Sequence, residues 1–123
     1  MSDKNILIID DSNTNLVLLE SLFKRNGYNV FSAVNGKQGL DLMEKNIPDL
    51  IFLDLKMPQV DGFEFIRLLK KNTEWKNIPV VILSAISDKE AMIRSIEMGV
   101  TEYLTKPLDM EQVIQLTKNI LDE

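Results

Sequence analysis

The chain has 123 residues, with 14 Lys plus Arg against 19 Asp plus Glu and neither cysteine nor histidine. A net charge of -5 leaves no basic footprint for nucleic-acid phosphates, and the two missing residue types exclude disulfides, thiolate zinc sites and imidazole catalysis. With an apolar fraction of 45%, this length suits one core, so a single domain over residues 1–123 is expected. The start, Met1-Ser2-Asp3-Lys4-Asn5, leads into only four apolar residues, too few for a signal peptide or a membrane span. A cytoplasmic protein is therefore expected.

The first apolar run, Ile6-Leu7-Ile8-Ile9, ends at Asp10-Asp11. Ser12 or Asn13 can cap the helix that follows, in which Leu16, Leu19, Leu22 and Phe23 recur at helical spacing until Gly27. Asn29-Val30-Phe31-Ser32-Ala33 is a short second strand and Asn35-Gly36 a turn. A brief helix carries Leu40, Met43 and Ile47 on one face and ends at Pro48. The third strand is Leu50-Ile51-Phe52-Leu53, a run with no polar alternation, as expected of a strand buried on both faces. It ends in Asp54, and Pro58 closes the segment.

Asp61-Gly62 opens a helix with Phe63, Ile66 and Leu69 inward, and Pro79-Val80-Val81-Ile82-Leu83 is a fourth buried run ending at Ser84. Asp88 can cap a helix with Met92, Ile93 and Ile96 inward, up to Gly99. Glu102-Tyr103-Leu104-Thr105 is a fifth strand ending at Lys106-Pro107, and Asp109 caps a last helix with Val113, Leu116 and Ile120 inward. Five alternations of strand and helix imply a doubly wound α/β fold with a mostly parallel sheet and helices on both faces. In such sheets the site lies beyond the carboxyl ends of the strands.

Four of the five strands end in chemistry: Asp10 and Asp11, Asp54, Ser84, and Lys106. Three carboxylates held about 4 Å apart repel by roughly 4 kcal/mol per pair at an effective dielectric of about 20. Such a cluster shifts its titration or recruits a cation. An all-oxygen partial site suits Mg²⁺, which retains waters and shares phosphoryl oxygens. A phosphoryl group on Asp54 would be bracketed by the ion and Lys106, with the Ser84 hydroxyl in reach. Phosphoryl transfer mainly needs that positioning and charge, and a carboxylate can serve as its nucleophile.

Taken singly, each residue has a plainer explanation. Asp10-Asp11 can be turn and cap residues, Ser84 a helix-entry hydroxyl and Lys106 a solvated lysine. Tyr103 can cover a sheet edge with its hydroxyl in water. Trp75 reads as loop packing and the six methionines as core or loop filling. The joint pattern at successive strand ends is what favours a site.

Asp10-Asp11, Asp54-Leu55-Lys56-Met57-Pro58 with Asp61-Gly62, Ser84-Ala85, and Tyr103-Leu104-Thr105-Lys106-Pro107 together resemble the receiver domain of two-component response regulators. The resemblance covers essentially the whole chain. It implies a five-stranded sheet of order 2-1-3-4-5. It also implies that Asp54 accepts a phosphoryl group from a histidine kinase or phosphotransfer protein. Asp11 would ligate Mg²⁺ (or Mn²⁺) directly, Asp10 through water, and the Lys56 backbone carbonyl would be a further ligand. Ser84 would move towards the phosphoryl group, Tyr103 would rotate into the vacated space, and Lys106 would pair with the phosphate. Ala85 would leave the group accessible, and the Lys106–Pro107 bond would be cis.

The same resemblance places the output on the fourth helix, fifth strand and fifth helix, a face with Lys89, Glu90, Glu102, Tyr103, Gln112 and Gln115. It implies a downstream protein partner or a fused output domain, with no direct nucleic-acid or membrane contact. The protein is expected to be a free-standing receiver or one domain of a longer chain. The last helix has Lys118 but no arginine. In this it departs from receivers of winged-helix transcription factors that pair through ion pairs on that face. Lys56 and Ile86 flank the site where they could tune dephosphorylation.

Two rivals share parts of the pattern. A flavodoxin-like carrier needs a hydroxyl- and glycine-rich phosphate loop after the first strand. Here Ser12-Asn13-Thr14 follows two aspartates that would repel a flavin phosphate. An aspartyl phosphohydrolase would carry its nucleophile on the first strand with a second aspartate two residues on, and position 12 is serine.

Overall fold

The computed structural model describes residues 3–55, 61–85 and 88–122. Lys56, Met57, Pro58 and Ile86, all named above, lie outside the described residues. Five strands alternate with five helices: β1 (Asn5–Ile9), α1 (Asn13–Arg25), β2 (Asn29–Ala33), α2 (Gly36–Lys45), β3 (Leu50–Asp54), α3 (Gly62–Lys71), β4 (Val80–Ala85), α4 (Lys89–Glu97), β5 (Glu102–Lys106) and α5 (Met110–Leu121). The strands form one parallel sheet of order β2-β1-β3-β4-β5. The order agrees with that implied by the resemblance.

Why the strand runs are continuously apolar follows from the two layers. Leu7, Ile9, Ile51, Leu53 and Ile82 face a cluster with Met43, Phe65, Ile66 and Leu69. Their neighbours Ile6, Ile8, Leu50, Phe52, Val81 and Leu83 face the opposite cluster, with Leu16, Leu19, Phe23 and Val113. Alternate side chains of a strand point to opposite faces, so burial on both sides removes the polar alternation. β3, paired with β1 on one side and β4 on the other, is buried at every position. Each such side chain stabilises the fold by about 1.5–3 kcal/mol.

The caps expected from sequence form at Ser12 and Asp109, and Asp61 adds another. Ser12 accepts from the Asn15 N–H, Asp61 from Glu64, and Asp109 from Glu111 and Gln112. Asp88 stands at the N-cap of α4 without a side-chain capping bond to the helix. Asn35 is not a free turn residue but the N-cap of α2, accepting from the Gln38 N–H at 2.8 Å.

Three helix faces differ from expectation. α2 ends at Lys45, leaving Ile47 beyond the helix and exposed; its buried face is Gly36, Gly39 and Met43. Small residues occupy that face because the helix lies close to the sheet, and a Cβ on Gly39 would fall 2.5 Å from Ile9 Cδ1. In α3 the fully buried aromatic is Phe65, while Phe63 is half-buried. In α4, Ile93 and Ile96 are exposed and Ser95 is buried, with Ala91 and Met98 packing on the core from the same side. Trp75 packs partly buried against the same cluster, as its loop position suggested.

Candidate functional site

Strand order fixes where the site falls. The chain leaves β1 to form β2 on one side, then returns to β3 on the other. The crevice between the carboxyl ends of β1 and β3 is thus the topological switch point, where open α/β sheets take their ligands. Asp10 directly follows β1, and its N–H donates to the Ala33 carbonyl at the end of β2 (3.1 Å). Asp54 is the last residue of β3 and pairs in register with Leu83 of β4.

Asp10, Asp11 and Asp54 each offer a carboxylate oxygen within 4.8 Å of the other two. Their surroundings differ. Asp10 is fully buried, Asp54 nearly so, and Asp11 exposed. A buried carboxylate needs hydrogen-bond donors in place of water. Asp10 Oδ1 accepts from the Ser12 N–H at 2.9 Å, and Asp10 Oδ2 from the Asn15 side-chain amide at 3.2 Å. Lys106 ends β5 and reaches over the end of β4. Its Nζ stands 3.5 Å from Asp10 Oδ2 and 3.5 Å from Asp54 Oδ2.

The donor set fits a small hard cation. Mg²⁺ takes oxygen ligands at about 2.0–2.1 Å, so two oxygens on opposite sides of one ion lie about 4.2 Å apart. Carboxylate oxygens within 4.8 Å of one another can be bridged with some contacts direct and others through retained water. Asp11, exposed, is the carboxylate open to an incoming ion. Asp10 already has protein donors on both oxygens.

The remaining residues sit around this cluster. Ser84 is buried at the end of β4, and its hydroxyl donates to the Ala85 carbonyl at 3.3 Å. Ala85 itself is exposed and pairs in register with Lys106. The Lys106–Pro107 peptide bond is cis. Tyr103 is half-buried on β5 and lines a groove of about 340 Å³ with Lys89, Met92, Ile93 and Thr105. That groove lies on the face formed by α4 and β5. Asn15 was not singled out from sequence. Its signal was its place in the first turn after the Ser12 cap, close behind the paired aspartates.

A doubly wound parallel sheet with an acidic, cation-compatible crevice at its switch point and a lysine between two of the carboxylates makes an α/β protein suited to holding a cation and a phosphoryl group. Comparison narrows the class. The family of the response regulator receiver domain matches residues 6–118, and the chain belongs to it. Sporulation initiation phosphotransferase F of Bacillus subtilis (strain 168) is 36% identical over 121 residues, covering 98% of this chain and 96% of that protein. The polar-differentiation response regulator DivK of Brucella anthropi is 32% identical, with 98% of each chain covered. The signal receiver domain of a signal transduction histidine kinase from Syntrophus aciditrophicus shares the fold with a TM-score of 0.89 at 32% identity, over 97% of this chain and 90% of that one. The chain is a receiver of two-component systems, a phosphoacceptor signalling domain. Among the described residues, no helix is long and apolar enough to cross a membrane.

Proposed function

We propose that Asp54 is the phosphoacceptor and that residues 1–123 act as one receiver domain. The observation that carries this reading is the placement of Asp54, nearly buried at the end of β3, among Asp10, Asp11 and the Lys106 ammonium. An Asp54 carboxylate oxygen attacks phosphorus, and the bond from phosphorus to the donor's imidazole nitrogen breaks with its electron pair leaving on the imidazole. Asp10 and Asp11, with the Asp54 carboxylate and the Lys56 backbone carbonyl, would hold Mg²⁺ or Mn²⁺. The ion supplies positive charge to the phosphoryl oxygens when bound.

Lys106 then moves from the two carboxylates onto the phosphoryl group, whose charge of about -2 outcompetes either of them. Ser84 exchanges its bond to the Ala85 carbonyl for a phosphoryl oxygen, and Tyr103 turns into the space that this opens. Exposed Ala85 leaves the acyl phosphate open to water and to partners. The donor is a sensor histidine kinase or a histidine phosphotransfer protein. The receiver promotes its own phosphorylation and dephosphorylation and turns over no separate substrate. Output passes through the face of α4, β5 and α5 to a protein partner or a fused domain in the cytoplasm, with no direct contact to nucleic acid or membrane. The two conformations of that face differ in partner affinity, and phosphorylation shifts their populations.

Intact-mass measurement after incubation with acetyl phosphate and Mg²⁺ tests the assignment. One phosphoryl adduct, labile to hydroxylamine and absent in Asp54→Ala, is expected. An adduct that persists in Asp54→Ala moves the phosphoacceptor elsewhere.

A further inference from the structure

We infer that Asn15 is a positioning residue of this site: its side-chain amide holds Asp10 Oδ2, so that Lys106 can leave that oxygen for a phosphoryl group on Asp54. The inference rests on the reading of Asp54 as phosphoacceptor and assigns a role to a residue outside the site set derived from sequence.

The donors around Asp10 carry the argument. Asp10 is fully buried, so bulk water does not satisfy its oxygens. Oδ1 is served by the Ser12 N–H. Oδ2 has two donors of different kinds, the Asn15 amide at 3.2 Å and the Lys106 ammonium at 3.5 Å. Charge-assisted N–H···O bonds close to about 2.7–2.9 Å when committed to one acceptor. Lys106, at 3.5 Å from both Asp10 Oδ2 and Asp54 Oδ2, is shared and committed to neither. Were it the sole protein donor to Oδ2, its departure would leave that buried carboxylate oxygen without a protein partner, a costly state. The Asn15 amide removes that penalty.

Asn15 is well placed to stay. It lies in the first turn of α1, its own N–H donates to the capping Ser12 Oγ at 3.3 Å, and the adjacent Leu16 is buried in the core. The amide orientation follows from chemistry, because the flipped amide would set its oxygen against a carboxylate oxygen. Asn15 is itself half-exposed, so substitutions there can be made without opening the core.

Two measurements test the role. Adduct formation from acetyl phosphate at saturating Mg²⁺ is expected to slow roughly tenfold in Asn15→Ala, the scale of one lost hydrogen bond to a charged group. It is expected to slow further in Asn15→Asp, which keeps the shape and adds a charge that retains Lys106. In parallel, urea unfolding without metal or phosphoryl donor is compared for Asn15→Ala, Lys106→Met and the double variant. Because the two donors share one buried oxygen, the double variant is expected to lose more stability than the two single losses together. A purely local capping role would give additive losses. Additive losses, or a wild-type phosphorylation rate in Asn15→Ala, would overturn the inference. A wild-type protein that takes no phosphoryl group at Asp54 would instead overturn the assignment of the phosphoacceptor, while the unfolding comparison still decides the role of Asn15.

Discussion

Gly62 lies directly against the backbone of Leu55. Its N–H donates to the Leu55 carbonyl at 3.2 Å, and a Cβ at position 62 would stand 2.6 Å from Leu55 Cα and 3.0 Å from the Asp54 carbonyl oxygen. The start of α3 is thereby pressed onto the segment that carries Asp54. These two atoms are backbone and cannot swing aside, and the Leu55 side chain crowds the same point, its Cδ2 at 2.9 Å. Gly62→Ala is expected to cost about 1–3 kcal/mol, the range for overpacking a close contact. It should also slow phosphoryl uptake, because the relaxation displaces the end of β3. Urea unfolding and mass-detected adduct formation measure the two effects. An alanine variant with wild-type values for both would show that the contact relaxes without moving Asp54.

Cation binding gives a second expectation. An ion that binds the folded cluster and not the unfolded chain stabilises by mass action, about 2.7 kcal/mol at a hundred times its dissociation constant. Mg²⁺ should therefore raise the unfolding midpoint, chelation should lower it, and Asp11→Asn should remove most of the difference. Lys106→Met should do the opposite to affinity. It deletes a positive charge 3.5 Å from two of the carboxylates, so Mg²⁺ should bind more tightly while adduct formation falls. Isothermal titration separates these outcomes. Equal affinity in wild type and Lys106→Met would mean that the lysine does not feel the ion.

How much of this was legible in the sequence depends on where the information sits. The strands were legible because burial on both faces leaves Leu50-Ile51-Phe52-Leu53 and Val80-Val81-Ile82-Leu83 without polar interruption. The candidate site was legible because a parallel sheet collects its strand ends on one edge. Asp10, Asp54, Ser84 and Lys106, far apart in the chain, stand at or next to the carboxyl ends of β1, β3, β4 and β5. Helix faces were less legible, since helical spacing admits neighbouring stripes and hydrophobicity then favours the largest side chains. In α4 that rule selects Ile93 and Ile96, but the buried position belongs to Ser95. Its hydroxyl is satisfied within the helix by the Met92 carbonyl at 2.7 Å, so burying it costs little. Thr117 in α5 does the same through the Val113 carbonyl at 2.8 Å. Asn15 was hidden for a different reason. An asparagine in a first helical turn is common, and only the position of Asp10 gives its amide a partner.

Those corrected faces make a sharp contrast in stability. Ile93 and Ile96 are 57% and 49% exposed, and Phe65 is 0% exposed. Ile93→Ser and Ile96→Ser should each change unfolding free energy by no more than about 0.5 kcal/mol, as surface substitutions do. Phe65→Ala should cost about 3–5 kcal/mol. Chemical denaturation of the three variants checks this. A loss above about 2 kcal/mol in either isoleucine variant, as expected of a buried aliphatic chain, would return that residue to the core.

The Arg94 guanidinium lies over the Phe63 ring, 4.0 Å from its centroid, and ties α4 to α3. This contact matters because α4 itself buries little, with Ser95 its buried residue. A helix with few buried apolar contacts opens locally at low free energy, so one side-chain bridge is a sizeable share of what holds it. The double-mutant cycle of Arg94→Ala and Phe63→Ala is expected to give a coupling of about 0.5–1 kcal/mol, the range for a solvent-accessible cation–π pair. Native-state hydrogen exchange should show the consequence in place. Amides of α4 should exchange faster in Arg94→Ala, while those of β1 and β3, protected by the central sheet, keep their rates. Faster exchange spread evenly over the whole chain would mean instead that the substitution lowers global stability.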